Sequence, residues 1–146
     1  MALYLVVAHQ TAASPELVAH LQWIFGREPD AEFVLLVPAT PITHLLTWTE
    51  GESLEVARAT AAEAGRSLRA AGVNLSDTVI GTPDPLEAIE AEHRMRTYDA
   101  TIISTLPLGL SRWLKRDLPS RVRSKVAGDV VHVVSQAEAP KKRAVA

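Results

Sequence analysis

The residues with the clearest chemical potential follow the apolar run Thr101–Ile103, where a loop begins at Ser104 and Thr105. Three β-branched residues without polar alternation predict a buried parallel strand. A loop after such a strand can hold phosphate when glycines let the backbone approach the anion and point several N–H groups at it. Gly109 is the only glycine between positions 104 and 118. The loop therefore has the position of a phosphate cradle but lacks its usual residues.

Six cationic side chains follow this loop within fourteen residues, and Asp117 is the only carboxylate among them. They could bind an anion or an acidic partner through guanidinium groups, or they could form a solvated helix face paired with acidic helices elsewhere. The sequence leaves both interpretations open. The six are Arg112, Lys115, Arg116, Arg121, Arg123 and Lys125.

Two histidines, His9 and His44, each follow a predicted strand and could face each other across a cleft. A metal site would need a third ligand, and no short His or carboxylate spacing supplies one. A histidine base would need a nucleophile, but Ser104 and Ser111 lack the glycine elbow of a hydrolase. We therefore expect no metal and assign no catalytic residue.

Composition narrows the class of protein. The 146 residues suit one domain, and the absence of cysteine excludes disulfides and thiolate zinc sites, which fits the cytoplasm. The apolar run Ala2–Ala8 has no basic segment before it and is too short to span a bilayer, so it predicts a strand. A pI near 6.2 argues against a nucleic-acid surface. Charge is nevertheless uneven: positions 1–101 carry 6 basic and 14 acidic groups, and positions 102–146 carry 9 and 3.

Apolar runs and helical periodicity alternate along the chain. The helix signals are Ser14 as N-cap before Pro15, apolar spacings of three and four over Gly51–Ala71, and Asp84 before a helix reaching about Met95. A fourth helix is expected from Asp117 or Leu118 to Val126. The strand candidates are Leu3–Ala8, Glu32–Ala39, Val73–Gly81, Ala100–Thr105 and Asp129–Val134.

This alternation predicts an α/β fold, a single doubly wound parallel five-stranded sheet with helices on both faces. The domain would cover positions 1–136, and positions 137–146 would form a solvated C-terminal tail. Ligands of such sheets bind beyond the carboxyl ends of the strands, where the strand order reverses. The cleft candidates are His9, Gln10, Thr11, Thr40, His44, Ser104, Thr105, Gly109, Ser111, Arg112, Lys115 and Arg116.

Two strings resemble the universal stress protein family, in a likeness that covers roughly Leu3–Val134. Gly81–Ile89 is similar to the family's glycine-proline approach to its third helix, and Tyr98–Ile103 to its approach to the nucleotide loop. The positions in register with the family's loop and last helix are Gly109, Arg112, Trp113, Leu114, Arg121 and Val122. The resemblance implies strand order 3-2-1-4-5, a Rossmann-like fold of the adenine nucleotide α-hydrolase type, and a dimer formed through the last strand.

The loop departs from the pattern of the family's ATP-binding members, which is glycine, two residues, glycine, nine residues, glycine, then serine or threonine. Ser104, Pro107, Asp117 and Leu118 occupy those four places. Proline has no N–H to donate, leucine has no hydroxyl, and an aspartate N-cap would satisfy the helix and repel an anion. His9 or Gln10 replaces the family's first-strand aspartate.

The resemblance and these departures predict a non-enzymatic, cytoplasmic stress-response domain without a cofactor, acting as a regulator. It would dimerise through Val131 and Val133 of the last strand and bind a protein partner or a small anion, but neither nucleic acid nor membrane. The alternative is an ATP- or AMP-binding protein with a non-glycine loop and slow hydrolysis.

Overall fold

The computed structural model describes residues 2–40, 50–107 and 110–136, without the side chains of residues 50–53, 112 and 115. His44, Gly109 and the predicted tail 137–146 lie outside this part. The strands are β1 Leu3–Val7, β2 Glu32–Pro38, β3 Leu75–Gly81, β4 Ala100–Thr105 and β5 Asp129–Val134. The helices are α1 Pro15–Arg27, α2 Glu50–Ala70, α3 Pro85–Met95, α4 Arg112–Lys115 and α5 Leu118–Arg123.

The five strands form one parallel sheet in the order β3-β2-β1-β4-β5, which confirms the predicted fold class. β1 lies at the centre, so its first residues pair on both sides, with Tyr4 opposite Phe33 of β2 and Ala100 of β4. The chain moves outward to β2 and β3, then crosses β1 to reach β4 and β5. The strand order therefore reverses between β1 and β4.

Helices cover both faces of the sheet, each with its own buried cluster. On one face Leu17 and Leu21 of α1 and Leu68 of α2 pack against Val6 and Leu35. The other face is covered by α3 and α5, whose buried side chains include Leu86, Ile89, Leu118 and Val122. Because the inner strands β1 and β2 are covered on both faces, their sequences are nearly continuous apolar runs, whereas the edge strand β3 carries Ser76, Asp77 and Thr78.

The helix boundaries follow from local chemistry. The Ser14 hydroxyl accepts from the Leu17 N–H at 3.2 Å, and the Asp84 carboxylate accepts from the Leu86 N–H at 3.1 Å, so both predicted N-caps are confirmed. Gly72 ends α2 at a φ of +88°, a conformation that costs glycine little. None of the described helices is long and apolar enough to cross a membrane.

The predicted fourth helix begins as expected at Leu118 but ends at Arg123 instead of Val126. The short helix α4 precedes it and was not expected; a turn separates the two helices at Asp117, which has a left-handed φ of 53° and donates its N–H to the Leu114 carbonyl at 3.0 Å. α5 ends at Arg123, although the Val126 N–H still reaches the Val122 carbonyl at 3.0 Å. A turn, rather than a continuous helix, therefore separates the basic residues of α4 from those of α5.

Candidate functional site

The candidate site is the region beyond the carboxyl ends of β1 and β4, which we call the crevice. Residues 8–14 lead from β1 into α1 on one face, and the chain after β4 leads towards α5 on the other. This divergence is the usual origin of a ligand site in a doubly wound sheet. What occupies the crevice decides what this protein can bind.

A hydroxyl pair bridges the crevice. The Thr11 and Ser104 oxygens lie 2.6 Å apart, although 93 positions separate the residues. Only 2% of Thr11 and 1% of Ser104 is exposed. Two residues predicted to face a ligand therefore bond to each other, joining the loop after β1 to the end of β4.

A second hydroxyl pair, Ser14 with Ser135, was not predicted from the sequence. The two oxygens lie 2.5 Å apart, and both residues are fully buried. The Gln136 N–H then donates to the Glu16 carboxylate at 3.3 Å. The start of α1 is thereby attached to the chain just after β5. The sequence predicts Ser14 as a helix cap but does not indicate this contact, because positions 14 and 135 come together only when the sheet forms.

The backbone after β4 satisfies its own donors. The Pro107 carbonyl accepts from the Leu110 N–H at 2.8 Å and from the Ser111 N–H at 2.9 Å. The buried Ser111 hydroxyl accepts from the Leu114 N–H at 3.2 Å. These are the groups that a phosphate cradle would direct at an anion. In this conformation they are already bonded within the loop.

Asp117 and Leu118 begin α5 differently from the sequence-based expectation. The predicted aspartate side-chain cap is wrong: the Asp117 carbonyl accepts from the Arg121 N–H at 3.1 Å, and its side chain makes no cap bond. An N-cap side chain normally bonds from an extended backbone, whereas Asp117 is left-handed. Leu118, only 1% exposed, fills the core below α3 and α5. Leu118 stands where the ATP-binding pattern has serine or threonine, and this position is therefore part of the core.

His9 is buried beside these contacts, with 5% of its surface exposed. Neither ring nitrogen has a hydrogen-bond partner in the described part of the chain. Burial lowers the pKa of His9 to about 4, against a smaller opposing effect of its own backbone. Its ring is therefore neutral at pH 7.

Two further candidates bond to groups outside the predicted set. The Thr40 hydroxyl donates to the Pro83 carbonyl at 2.8 Å, and the Thr105 hydroxyl lies 2.7 Å from the His132 ring. Gln10 is partly exposed and Arg116 is exposed. Arg112 and Lys115 lie on α4, with side chains outside the described part. Within the described residues, no three His, Asp or Glu side chains group as metal ligands.

These features define a doubly wound α/β domain whose crevice is bridged by its own side chains. Its fold is that of the universal stress proteins. A universal stress protein in complex with cAMP superposes with a TM-score of 0.58 at 19% identity, covering 90% of this chain and 96% of the other. The Archaeoglobus fulgidus protein in complex with dAMP gives 0.60 at 13%, covering 91% and 97%.

A universal stress protein family member from Arabidopsis thaliana with AMP bound also shares the fold, with a TM-score of 0.60 at 12% identity and 94% coverage of both chains. No protein-family model matches the sequence, and no curated protein does either. The likeness therefore establishes the fold, and the ligand has to be argued from this chain's own residues.

Proposed function

We propose that this chain is a non-enzymatic, cytoplasmic regulatory domain that does not bind ATP and acts in the stress response, as a homodimer, through a partner or a small ligand. The bridge between Thr11 and Ser104 carries the proposal. A nucleotide would have to break this buried bond and leave two hydroxyls without partners unless it replaced them.

The loop after β4 adds a second cost to nucleotide binding. A phosphate would have to compete with the Pro107 carbonyl for the Leu110 and Ser111 N–H groups. Pro107 itself offers no donor. Asp117 places a carboxylate before α5, where an anion would be repelled.

The alternative is an ATP- or AMP-binding domain that uses Ser104, Thr105, Arg112 and Lys115 in place of glycines. Three proteins that share the fold were solved with cAMP, dAMP or AMP, which favours this reading. In that case the loop would have to rearrange on binding.

Thermal shift and calorimetry with ATP and AMP at physiological salt separate the two functions. A ligand at a hundred times its Kd stabilises a protein by about 2.7 kcal/mol, a shift that such a scan detects. We expect no shift at millimolar nucleotide. Micromolar ATP binding that is lost in Arg112→Ala but kept in Lys125→Ala, an exposed cation beyond α5, would overturn the proposal.

A restored loop is the complementary test. Ser104→Gly, Pro107→Gly and Asp117→Gly together should create nucleotide affinity if the loop is what prevents binding. Leu118 should be kept, because removing a buried leucine side chain costs about 2–5 kcal/mol. No gain would indicate that the first-strand change at His9 and Gln10 also blocks the site.

The proposed dimer uses the edge of the sheet at β5, which pairs only with β4 in the described sheet. An apolar edge strand is a template for pairing with a second copy. Val131 and Val133 pack partly against the core, so lysine there would also disturb the monomer. Val134, 38% exposed, is the better position. Val134→Lys should convert dimer to monomer in sedimentation, whereas Val56→Lys, at a 47% exposed position on α2, should not.

The proposed ligand of the basic segment is an anionic group of a partner or a small anion. Among the described ion pairs none involves this segment, and Arg116, Arg121, Arg123 and Lys125 are exposed. Phosphate titration at low salt, followed by Trp113 fluorescence with the other two tryptophans replaced by phenylalanine, should saturate. Charge reversal at Lys115 and Arg116 should abolish the response, and a flat wild-type titration would defeat this part of the proposal.

A further inference from the structure

His9 is exceptional among the histidines that the structure describes. The rings of His93 and His132 each lie within hydrogen-bond distance of a threonine hydroxyl, at 2.9 Å from Thr101 and 2.7 Å from Thr105. His9 is the only described residue with buried side-chain nitrogen or oxygen atoms that lack a partner. A buried polar group of this kind is costly unless it has a function or can become solvated.

His9 is the first residue of the loop formed by residues 9–14, which leads from β1 into α1. Within the loop, the Ala12 N–H donates to the His9 carbonyl and the Ser14 N–H to the Thr11 carbonyl, both at 3.1 Å. Two side-chain contacts hold the loop to the rest of the sheet: Thr11 with Ser104 at the end of β4, and Ser14 with Ser135 after β5. Both are contacts between neutral hydroxyls, and neither supplies a charge that would stabilise a cation.

Protonation would make His9 a cation with two N–H donors, in a place that offers neither an acceptor nor a counter-ion. No described charged group contributes to its pKa, which burial lowers. The charged and titratable groups of the neighbouring elements are bonded to other groups or exposed. On α1, the Glu16 carboxylate accepts from the Gln136 N–H. After β4, Arg116 and Asp117 are exposed, and on β5 the His132 ring contacts Thr105. The charged ring would therefore be more stable in water than in its buried position.

We propose that the loop of residues 9–14 is an acid-sensitive cover of the crevice: it stays attached to β4 and β5 while His9 is neutral, and detaches when His9 is protonated. This inference rests on the proposed closed crevice and adds its regulation. Detachment would expose the Thr11, Ser14, Ser104 and Ser135 hydroxyls together, and so create at acid pH a polar surface that is absent at neutral pH.

The size of the effect follows from proton linkage. If His9 titrates near 4 in the closed state and near its ordinary value of 6.5 in the open state, the open-to-closed ratio rises about 30-fold between pH 7.5 and pH 5.0. The direction follows from the lowered pKa: the open state binds more protons, so acid favours it.

Hydrogen exchange of the free protein, with rates corrected for the intrinsic effect of pH, measures this ratio at the amides of Ala12 and Ser14. We expect their protection to fall about 30-fold from pH 7.5 to pH 5.0. These amides should exchange faster than those of Val6 and Ile102, which open only on global unfolding. His9→Asn should remove the pH dependence. His20→Asn is the control and should keep it, because His20 lies on α1 beside exposed Trp23 rather than in the loop.

A change below threefold in the wild type, or an undiminished pH dependence in His9→Asn, would overturn the inference. Equal exchange at the loop and core amides would overturn it too, because the opening would then be global. NMR titration of the wild-type His9 ring covers the case in which His9→Asn does not fold: a pKa near 6.5 without any change at the Thr11 and Ser104 amides would refute it. These experiments contain no nucleotide, so their failure leaves the proposed function standing, and nucleotide binding at pH 7.5 refutes that function separately.

Discussion

Ser14 shows how one hydroxyl can serve both local and long-range structure. It accepts from the Leu17 N–H as the N-cap of α1 and lies 2.5 Å from the Ser135 hydroxyl. Each role alone contributes about 1 kcal/mol. Because both residues are fully buried, removal of either hydroxyl also leaves the other without its partner.

Ser14→Ala should therefore lower the free energy of unfolding by about 1.5–3 kcal/mol, and Ser135→Ala by about 1 kcal/mol. The double variant should cost less than the two changes added together, since after Ser14→Ala the Ser135 hydroxyl has already lost its partner. Urea denaturation of the three variants measures this coupling. Strict additivity would show that the two hydroxyls do not interact in solution.

The sequence predicts where the candidate site lies, but not that hydroxyl groups in it are bonded to each other. The sequence predicts both Thr11 and Ser104 as site residues, because each lies at or beyond the carboxyl end of a strand. That they bond to each other depends on the separation of the loop after β1 from the end of β4, which no local pattern specifies. The cap expected of Asp117 failed for a related reason: its left-handed backbone is imposed by the turn between α4 and α5.

At the scale of elements, the approach to α3 is set by close packing at Gly81. A methyl group built there would lie 2.6 Å from the Ala88 side chain and 3.0 Å from that of Leu36. Both separations are shorter than van der Waals contact between carbons. The end of β3 and the first turn of α3 can therefore approach this closely only over glycine.

Gly81→Ala should destabilise the protein by about 1–3 kcal/mol, because the overpacked methyl group must push β3 and α3 apart. Gly26→Ala is the matched control: nothing lies within 4 Å of its added methyl group, and alanine favours a helix, so stability should rise by about 0.5–1 kcal/mol. Thermal denaturation of both variants tests the pair. A neutral Gly81→Ala would mean that α3 can shift freely on the sheet.

The elements themselves were largely readable from the sequence. Every strand, α2 and α3 lie within about two residues of the predicted bounds, and α1 begins at the predicted Pro15, because apolar runs, caps and glycine stops are local signals. α4 was missed, since four residues show no periodicity. The strand order came from the family resemblance, as alternation alone leaves several arrangements of a parallel sheet open.

Among the residues that the structure describes, burial lowers the pKa of four histidines: His9, His20, His93 and His132. A lowered pKa means that the folded state favours the neutral ring. The resulting stability is fully present above the unfolded value near 6.5 and is lost as the pH falls towards the folded pKa. Asp77, whose pKa its hydrogen bond with Arg96 lowers, contributes stability that is fully present above its ordinary value of 3.8 and is lost only as the pH falls below it, so this contribution changes little between pH 7.5 and pH 4.5.

The free energy of unfolding should therefore decrease between pH 7.5 and pH 4.5, with His9 alone contributing up to about 3 kcal/mol. Urea denaturation at the two pH values measures the loss, and His9→Asn should show a clearly smaller one. A wild-type stability that stays constant over this range would mean that the four rings are better solvated in solution than in the folded structure described above.

The position of β1 at the centre of the sheet has a consequence for biosynthesis. Of the five strands, β1 is made first and needs partners on both sides, and β4, one of them, is synthesised about a hundred residues after it. β5, which covers the far edge of β4, comes last, and Ser135 reaches Ser14 across 121 positions. Such distant pairings form slowly. The unpaired edge of β4 is thus the surface most open to misassembly during synthesis, and premature termination before Asp129 would leave it uncovered permanently.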